Sequence, residues 1–265
     1  MKNPFRGYII FLSRDSGRHI VGYGPMSYIA SLLTQGEGCN FDPKKNRHAC
    51  HRMMQIIARY VVSNLMAVVR DKVAKEAEEL FKSGKCAAAV VPLQRAIYLG
   101  HLPSRALMAH MMLEGREGVA QDCIRAFKLA KEGAHLGCHH CQGVMANCYR
   151  LHRGIQIDTA QSFELARKSS GKGSRYGPWV LALFYWIGIV GVAEDRAQAV
   201  ALYRLAAAQG LDDACFSLGF VYELGDGVAQ DFAEALRWYQ LAATQGHPVA
   251  LYNYRSLSRR LSRRS

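Results

Sequence analysis

A twenty-residue segment that recurs at nearly constant spacing constrains the fold of this chain more than any other feature. It is most regular in residues 227–246, GVAQDFAEALRWYQLAATQG, and it recurs in residues 191–210, 154–173 and 118–137. One Asp marks the same place in each copy, and these Asp residues follow one another in steps of 36, 37 and 36 residues. Such a period is typical of a solenoid, because one helical pair cannot bury its apolar face alone and stacks on the next pair.

Each copy predicts the second helix of a pair. The Asp231 carboxylate can accept a hydrogen bond from a free backbone N–H of the first turn, and Glu234 can complete a capping box. Apolar residues from Ala235 to Ala243 recur at three-to-four spacing, which places them on one helical face. Gly246 favours the left-handed backbone that ends helices. We therefore expect four capping residues, Asp122, Asp158, Asp195 and Asp231.

The preceding stretch, ACFSLGFVY in residues 214–222, predicts the first helix of the pair. The whole unit, AxxxLGxxYxxGxGVxxDxxxAxxWYxxAAxxG, resembles the Sel1-like repeat, a relative of the tetratricopeptide repeat. The resemblance covers roughly residues 100–255. It implies an all-α fold, a right-handed α-solenoid of helix pairs, that binds other proteins on its concave face. It implies no catalysis.

The N-terminal region allows two interpretations. A short helix over residues 26–35, a long amphipathic helix over about 49–81 and a shorter helix over 90–100 are predicted from apolar periodicity. This can be a degenerate repeat preceded by a cap. The layout over residues 24–110 also resembles a core histone fold, which implies DNA contact and a homodimer or heterodimer. It departs from histones in the second loop, where GKCAAA replaces an Arg followed by a hydroxyl residue.

The positive charge lies at the two ends of the chain. Residues 1–110 carry 16 Lys and Arg against 7 Asp and Glu, residues 111–250 carry 13 against 14, and residues 251–265 carry five Arg and no acid. An acidic partner such as nucleic acid is one interpretation. The candidate nucleic-acid contacts are Lys44, Lys45, Arg47, Arg52, Lys82 and Lys85. The basic tail, residues 258–265, is expected to be disordered, and Ser262 in it resembles a phosphorylation site.

The segment from Trp179 to Val190 is unusually apolar. Trp186 and Ile189 stand where the next repeat has Glu223 and Asp226, so excess apolar surface is a candidate partner site. The alternative is burial against a neighbouring repeat. The candidate partner-binding residues are Trp179, Phe184, Trp186 and Ile189. Residues 179–193 carry no charge but are too few to span a bilayer.

The cysteine-rich segment 138–152 invites a metal site. Its cysteines share one helical face, but Cys141 and Cys148 lie about 10.5 Å apart along the axis, which is too far for one zinc ion. At most, Cys138 with Cys141, or Cys148 with His152, could be half a site. The repeat register explains these cysteines as small buried core residues, so we predict no metal and no cofactor. Eight cysteines without a repeated disulfide spacing favour reduced intracellular thiols.

No pattern typical of catalysis is present, and the pair Asp212 and Asp213 is interpreted as solvated loop acids. We expect a basic segment (1–23), a helical region (24–99) that is either a repeat or histone-like, Sel1-like repeats (100–257) and a basic tail (258–265). The predicted function is a non-enzymatic interaction scaffold with one or more protein partners; the alternative is a chromatin- or DNA-associated protein. We expect an intracellular protein, cytoplasmic or nuclear, with no membrane span.

Overall fold

The computed structural model describes residues 9–10, 23–24, 47–151, 156–189 and 191–263, which fall into two units, residues 1–63 and 64–265. The first unit contains two short antiparallel strands, β1 (Ile9–Ile10) and β2 (Tyr23–Gly24), with Ile9 opposite Gly24. It also contains the beginning of helix α1 (Arg47–Lys82), which continues into the second unit. The predicted helix over residues 26–35 lies outside the described residues.

The rest of the second unit is a succession of helices of 12 or 13 residues. Neighbours in the chain pack on one another, so that first and second helices alternate in solenoid-like order. The helices are α2 (Cys86–Tyr98), α3 (Leu102–Glu114), α4 (Cys123–His135), α5 (His139–Arg150), α6 (Thr159–Ser170), α7 (Tyr176–Ile187), α8 (Arg196–Ala208), α9 (Asp212–Leu224), α10 (Phe232–Thr244) and α11 (Ala250–Ser262).

Glycine serves two purposes in each pair, as the last complete repeat illustrates. Gly246 adopts φ of 83° after α10, and the next N–H, of His247, donates to the Ala242 carbonyl at 3.0 Å, which ends the helix. In α9, a Cβ at Gly219 would overlap the ring of Tyr239. The small residue therefore lets α9 and α10 approach closely enough to bury that tyrosine.

The end of α1 shares buried clusters with α2. Val73 and Ala74 contact Ala96, while Phe81 packs in a cluster that includes Leu93 and reaches α3. Gly100 follows α2 with φ of 86°, as Gly246 follows α10. This arrangement gives the histone interpretation no support, and the degenerate-repeat interpretation stays a prediction.

Two helix boundaries differ from the prediction. Helix α2 begins at Cys86 rather than at residue 90, because the alanines after Cys86 have high helix propensity. At the other end of the chain, α11 continues to Ser262, so residues 258–262 are helical and not a disordered tail. Leu257 is buried against Ala235 and Tyr239, and this contact holds the last helix in place.

None of the described helices combines the length and apolar character that crossing a bilayer requires.

Candidate functional site

Five charged or titratable side chains meet inside the second unit, and we call them the charged cluster: His110, Arg116, Asp212, Asp213 and His247. They come from the end of α3, the turn after it, the start of α9 and the turn before α11. Arg116 is 3% exposed and Asp212 is fully buried. Buried charges of this kind are costly unless they are paired, so their partners determine what the cluster does.

Arg116 connects the two carboxylates. Its Nη1 lies 2.6 Å from Asp212 Oδ2, and its Nη2 lies 3.3 Å from Asp213 Oδ1. Nη1 also donates to the Gly246 carbonyl at 3.1 Å. These contacts join segments that are 97 and 130 residues apart in the chain. One guanidinium therefore links the repeat of α3 and α4 to the repeat of α9 and α10.

Two histidines complete the surroundings of Asp213. His110 Nε2 lies 3.2 Å from Asp213 Oδ2, and His247 Nε2 lies 3.4 Å from Asp213 Oδ1. The His247 ring stacks on Phe216 with centroids 4.3 Å apart, and the His110 ring packs beside Tyr176 at 5.1 Å. The aromatic contacts hold each imidazole in position to face the same carboxylate.

The two carboxylates have opposite pKa shifts. Burial raises the pKa of Asp213, but His110, His247 and Arg116 together outweigh it, so the pKa lies well below its usual range. Burial and then the neighbouring charge of Asp213 raise the pKa of Asp212, and the opposing effect of Arg116 is smaller. The cluster therefore holds negative charge most firmly on Asp213.

The cluster also has the composition of a metal site. His110, Asp212 and Asp213 each offer one donor atom, and these atoms lie within 4.8 Å of one another. Arg116 already provides the positive charge between the carboxylates, at hydrogen-bond distance from both. A divalent ion would place a second cation against this guanidinium. We therefore interpret the cluster as an ion-pair network that joins distant repeats.

A second ion-pair network lies on α1. Glu78 contacts Arg175 at 2.6 Å and Lys82 at 3.1 Å. Burial raises the pKa of Glu78, but the charges and hydrogen bonds of Arg175 and Lys82 outweigh it and the pKa is lowered. The end of α1 is thereby bound to the start of α7.

The predicted nucleic-acid contacts gain no support from this geometry. Lys44 and Lys45 lie outside the described residues, as do the side chains of Arg47 and Arg52. Lys82 pairs with Glu78, and Lys85 is an exposed residue that precedes α2.

The four predicted partner-binding residues divide into two groups. Trp179 is 9% exposed and its Nε1 donates to Ser217 Oγ at 3.2 Å, and Phe184 packs edge-on against Phe163. These two side chains belong to the core and offer little surface to a partner. The neighbouring helices α6 and α9 cover the side chains of Trp179 and Phe184. Trp186 and Ile189 are half-buried and keep an accessible face.

Trp186 borders a shallow depression that we call the apolar groove. The Arg196 guanidinium lies 4.2 Å from the Trp186 ring centroid and holds the ring in place. The groove has a volume of about 160 Å³ and lies between α7, α8 and α9. It is lined by Leu183, Trp186, Tyr203, Phe216, Ser217, Phe220 and Val221.

The four Asp residues at the starts of the second helices each accept a backbone hydrogen bond. The acceptor-to-nitrogen distances are 2.8 Å for Asp122, Asp158 and Asp195 and 3.0 Å for Asp231. The expected return bond of the capping box is not used at Asp231. Its N–H donates to the Tyr222 carbonyl at 3.0 Å instead, while Glu234 pairs with Arg237. Packing on the first helix supplies the acceptor that Glu234 was expected to provide.

Sequence reasoning missed the charged cluster because Asp212 and Asp213 were interpreted as solvated. A signal was present: they stand two and three residues after Gly210, and His139–His140 and Arg175–Tyr176 stand at the same places after Gly137 and Gly173. Polar pairs at equivalent places in successive repeats predict that they face one another. The buried positions of Cys141 and Cys148, by contrast, agree with their interpretation as core thiols.

Comparison with solved structures finds several helical repeat proteins. A Sel1 repeat protein from Oxalobacter formigenes is 25% identical, with a TM-score of 0.43 over 68% of this chain and 73% of that chain. A sel1 repeat protein from Klebsiella pneumoniae is 19% identical, with a TM-score of 0.48 over 71% of this chain and 93% of that chain. A protective antigen of uropathogenic Escherichia coli with an SLR fold is 25% identical, with a TM-score of 0.41 over 70% of this chain.

The chain spans 43% of the length of the Escherichia coli antigen. Comparison with curated proteins finds no match. The family model described as "Sel1 repeat" matches three segments, residues 103–138, 179–211 and 212–247. They correspond to α3 with α4, to most of α7 with α8, and to α9 with α10. On these matches, three segments of this chain are Sel1 repeats.

Proposed function

We propose that this protein is a non-enzymatic scaffold that binds a protein partner through the apolar groove. Sel1 repeat proteins are a family of protein-interaction scaffolds and are generally non-enzymatic, which supports the general class. The accessible aromatic surface at the groove supports the proposed position of the binding site. The repeat region of residues 100–257 provides this surface, and its occupant is an apolar segment of the partner.

The groove has features that partner-binding sites share. Phe220, which lines it, is 43% exposed although it is a large apolar side chain. Ile187 follows Trp186 directly and Leu224 lies one helical turn after Val221, and both are more than half exposed. Aromatic residues in a partly enclosed depression, bordered by further apolar residues, are typical of sites where few side chains provide most of the binding energy.

Trp186 is the residue on which the proposal depends most. Arg196 covers one face of its ring and also pairs with Asp226 at 2.5 Å, so the ring is held before a partner arrives. A preorganised aromatic side chain loses little conformational entropy on binding. Ile189, half-buried three residues further on, extends the same apolar surface.

The alternative function, association with chromatin or DNA, has no support in the family match or in the described lysines, and neither has a nuclear location. Because the histone resemblance gains no support, the prediction of a histone-type dimer stays untested. A cytoplasmic location stays a prediction.

Site-specific photo-crosslinking in cells tests the proposal. A photoreactive phenylalanine analogue at Phe220 should crosslink to a discrete protein, and Trp186→Ala in the same chain should reduce the yield about tenfold or more, as expected for a central aromatic contact. The matched control places the analogue at Tyr98, which is 90% exposed on α2 and away from the groove.

The same crosslinked protein at equal yield from both positions would show non-specific proximity and refute the groove as the binding site. Crosslinking at Phe220 that is unaffected by Trp186→Ala would also contradict it. Circular dichroism of each purified variant establishes that the helical content is unchanged.

A further inference from the structure

One side of α11, together with the residue that follows the helix, carries a row of arginines. Arg255, Arg259 and Arg263 stand four residues apart, and all three are exposed. Four residues make slightly more than one helical turn, so these side chains leave the same side of the helix in axial steps of about 6 Å. We call these three residues the arginine row.

Packing on α10 fixes which side of α11 faces outward. Leu257 is buried against Ala235 and Tyr239, and Ala250 is fully buried as well. At 3.6 residues per turn, the arginine row lies on the side of the helix opposite Ala250 and Leu257. The contacts that hold α11 in place therefore leave the row accessible to a partner.

The charges of the arginine row are not neutralised by nearby acids. Among the described residues, no member of the row forms an ion pair, whereas Arg260 beside it pairs with Glu223 at 2.9 Å. Residues 251–265 contain five Arg and no Asp or Glu. The helix dipole favours cations in the last turn, but Arg255 lies in the second turn of α11, so the dipole does not account for the row.

The arginine row borders a depression of about 560 Å³ that has an apolar end. Leu251 and Tyr252, one turn before Arg255, line the same depression. Leu251 is 44% exposed and Tyr252 is 73% exposed, although both are large apolar side chains. A ligand that fits this surface therefore carries spaced negative charges and an apolar group beside them.

The spacing of the row indicates the conformation of such a ligand. In an extended peptide each residue advances about 3.3 Å and alternate side chains point to the same face, so their repeat of about 6.6 Å is close to the 6 Å step of the row. Carboxylates at alternate positions can each accept charge-assisted hydrogen bonds from one guanidinium. A peptide, unlike a phosphate backbone, also supplies an apolar side chain for Leu251 and Tyr252.

We propose that the outer side of α11 binds an extended acidic segment of a protein partner, with carboxylates at alternate positions on the arginine row and an apolar side chain on Leu251 and Tyr252. This site is separate from the apolar groove, which lies between α7, α8 and α9, and neither site requires the other.

Fluorescence anisotropy with the full chain and a labelled peptide at low ionic strength tests the proposal. In the probe, three glutamates alternate with serines and a leucine stands at each end. A peptide with glutamine in place of glutamate should not bind, and one with the three glutamates adjacent should bind at least threefold more weakly. Absence of probe binding at millimolar protein, or equal binding of either comparison peptide, would overturn the proposal.

Variants locate the site on the protein. Changing all three arginines of the row to Gln should weaken probe binding about tenfold or more, because three ion pairs are lost. The matched control, Arg59→Gln with Arg95→Gln and Arg125→Gln, removes the same charge from exposed positions on α1, α2 and α4. It should change the affinity less than twofold, and equal weakening by both triple variants would show that net charge alone attracts the probe and would refute the site.

The apolar contact and the class of partner need separate readouts. Tyr252→Ala should weaken probe binding about threefold and leave its salt dependence unchanged, because no charge is removed; an unchanged affinity would contradict the apolar contact. Labelled duplex DNA is measured under the same conditions. Tighter binding of the DNA than of the probe, abolished by the row variant, would assign this side of α11 to phosphate backbones and overturn the proposal. Circular dichroism establishes that each variant keeps its helical content.

Discussion

The second helices of this protein and the starts of its first helices obey different rules. Each of α4, α6, α8 and α10 begins with an Asp that accepts one backbone hydrogen bond at nearly the same distance. The starts of α5, α7 and α9 carry unlike residues at equivalent places, namely His139–His140, Arg175–Tyr176 and Asp212–Asp213. The capping residue of the second helices is the same in every repeat, whereas the residues at the starts of the first helices differ from repeat to repeat.

The difference teaches which interactions a repeat can settle alone. A helix cap is local, because its donor and acceptor are three residues apart, so the same residue works in every copy. The residues that start the first helices contact distant segments, as Asp213 contacts His110 and Arg175 contacts Glu78. Each of them must match a different partner, and the repeat pattern is lost there.

Removal of the cluster's guanidinium should give the largest effect. Arg116→Met leaves Asp212 and Asp213 buried without their common cation, and we expect the free energy of unfolding to fall by about 3–5 kcal/mol. Urea unfolding followed by circular dichroism measures it. The matched control is Arg237→Met, which breaks the exposed pair with Glu234 and should cost about 1 kcal/mol or less. Equal losses in the two variants would remove the distinction between local and distant pairs.

The pH dependence of stability should show an intermediate effect through His140. Burial first, and then the nearby charges of His139 and Arg175, lower the pKa of this imidazole to about 4. The unfolded chain takes up the proton near pH 6.5, while the folded protein resists it until about pH 4. The contribution of the neutral His140 imidazole to the free energy of unfolding is therefore complete above pH 6.5. It is lost as the pH falls from 6.5 towards 4, and the free energy of unfolding drops by up to about 3 kcal/mol.

Unfolding free energies of wild type and His140→Gln across this window isolate the contribution of His140. The difference between the two proteins should change with pH in that window and be constant above it. His135→Gln, which alters an exposed histidine at the end of α4, serves as the matched control. A pH-independent difference for His140→Gln would show that its imidazole titrates alike in the folded and unfolded chains.

The caps should give the smallest and most uniform effects. Asp231→Ala and Asp122→Ala should each lower the free energy of unfolding by about 1 kcal/mol, since each loses one backbone hydrogen bond. Glu234→Ala should cost only about 0.5 kcal/mol or less, because its carboxylate makes an exposed ion pair with Arg237. A loss in the free energy of unfolding for Glu234→Ala as large as that for Asp231→Ala would show that Glu234 takes part in a full capping box.

The N-terminal helices and the aromatic residues of α7 show which features the sequence could not predict. The periodicity of residues 49–81 predicts a long helix, and α1 is one, but periodicity could not decide between a repeat and a histone-like module. Phe81 and Leu93 share a buried cluster with residues of α3, so the end of α1 packs with α2 and α3, and the histone interpretation gains no support. For Trp179 and Phe184, an apolar helix was predicted, but which of its sides a neighbour covers depends on α6 and α9, from which Phe163 and Ser217 contact them.

The sequence by itself determined the period, the alternation of helices, the Asp residues at the starts of the second helices and the glycine turns, because all of these arise from interactions within one repeat. Only the tertiary structure decided that Asp212 and Asp213 are buried, that Arg116 joins them, and that the thiol of Cys141 is enclosed between α3 and α4. The physical reason is that burial and pairing of a charge are set by segments that lie about a hundred residues apart and meet only when the repeats stack.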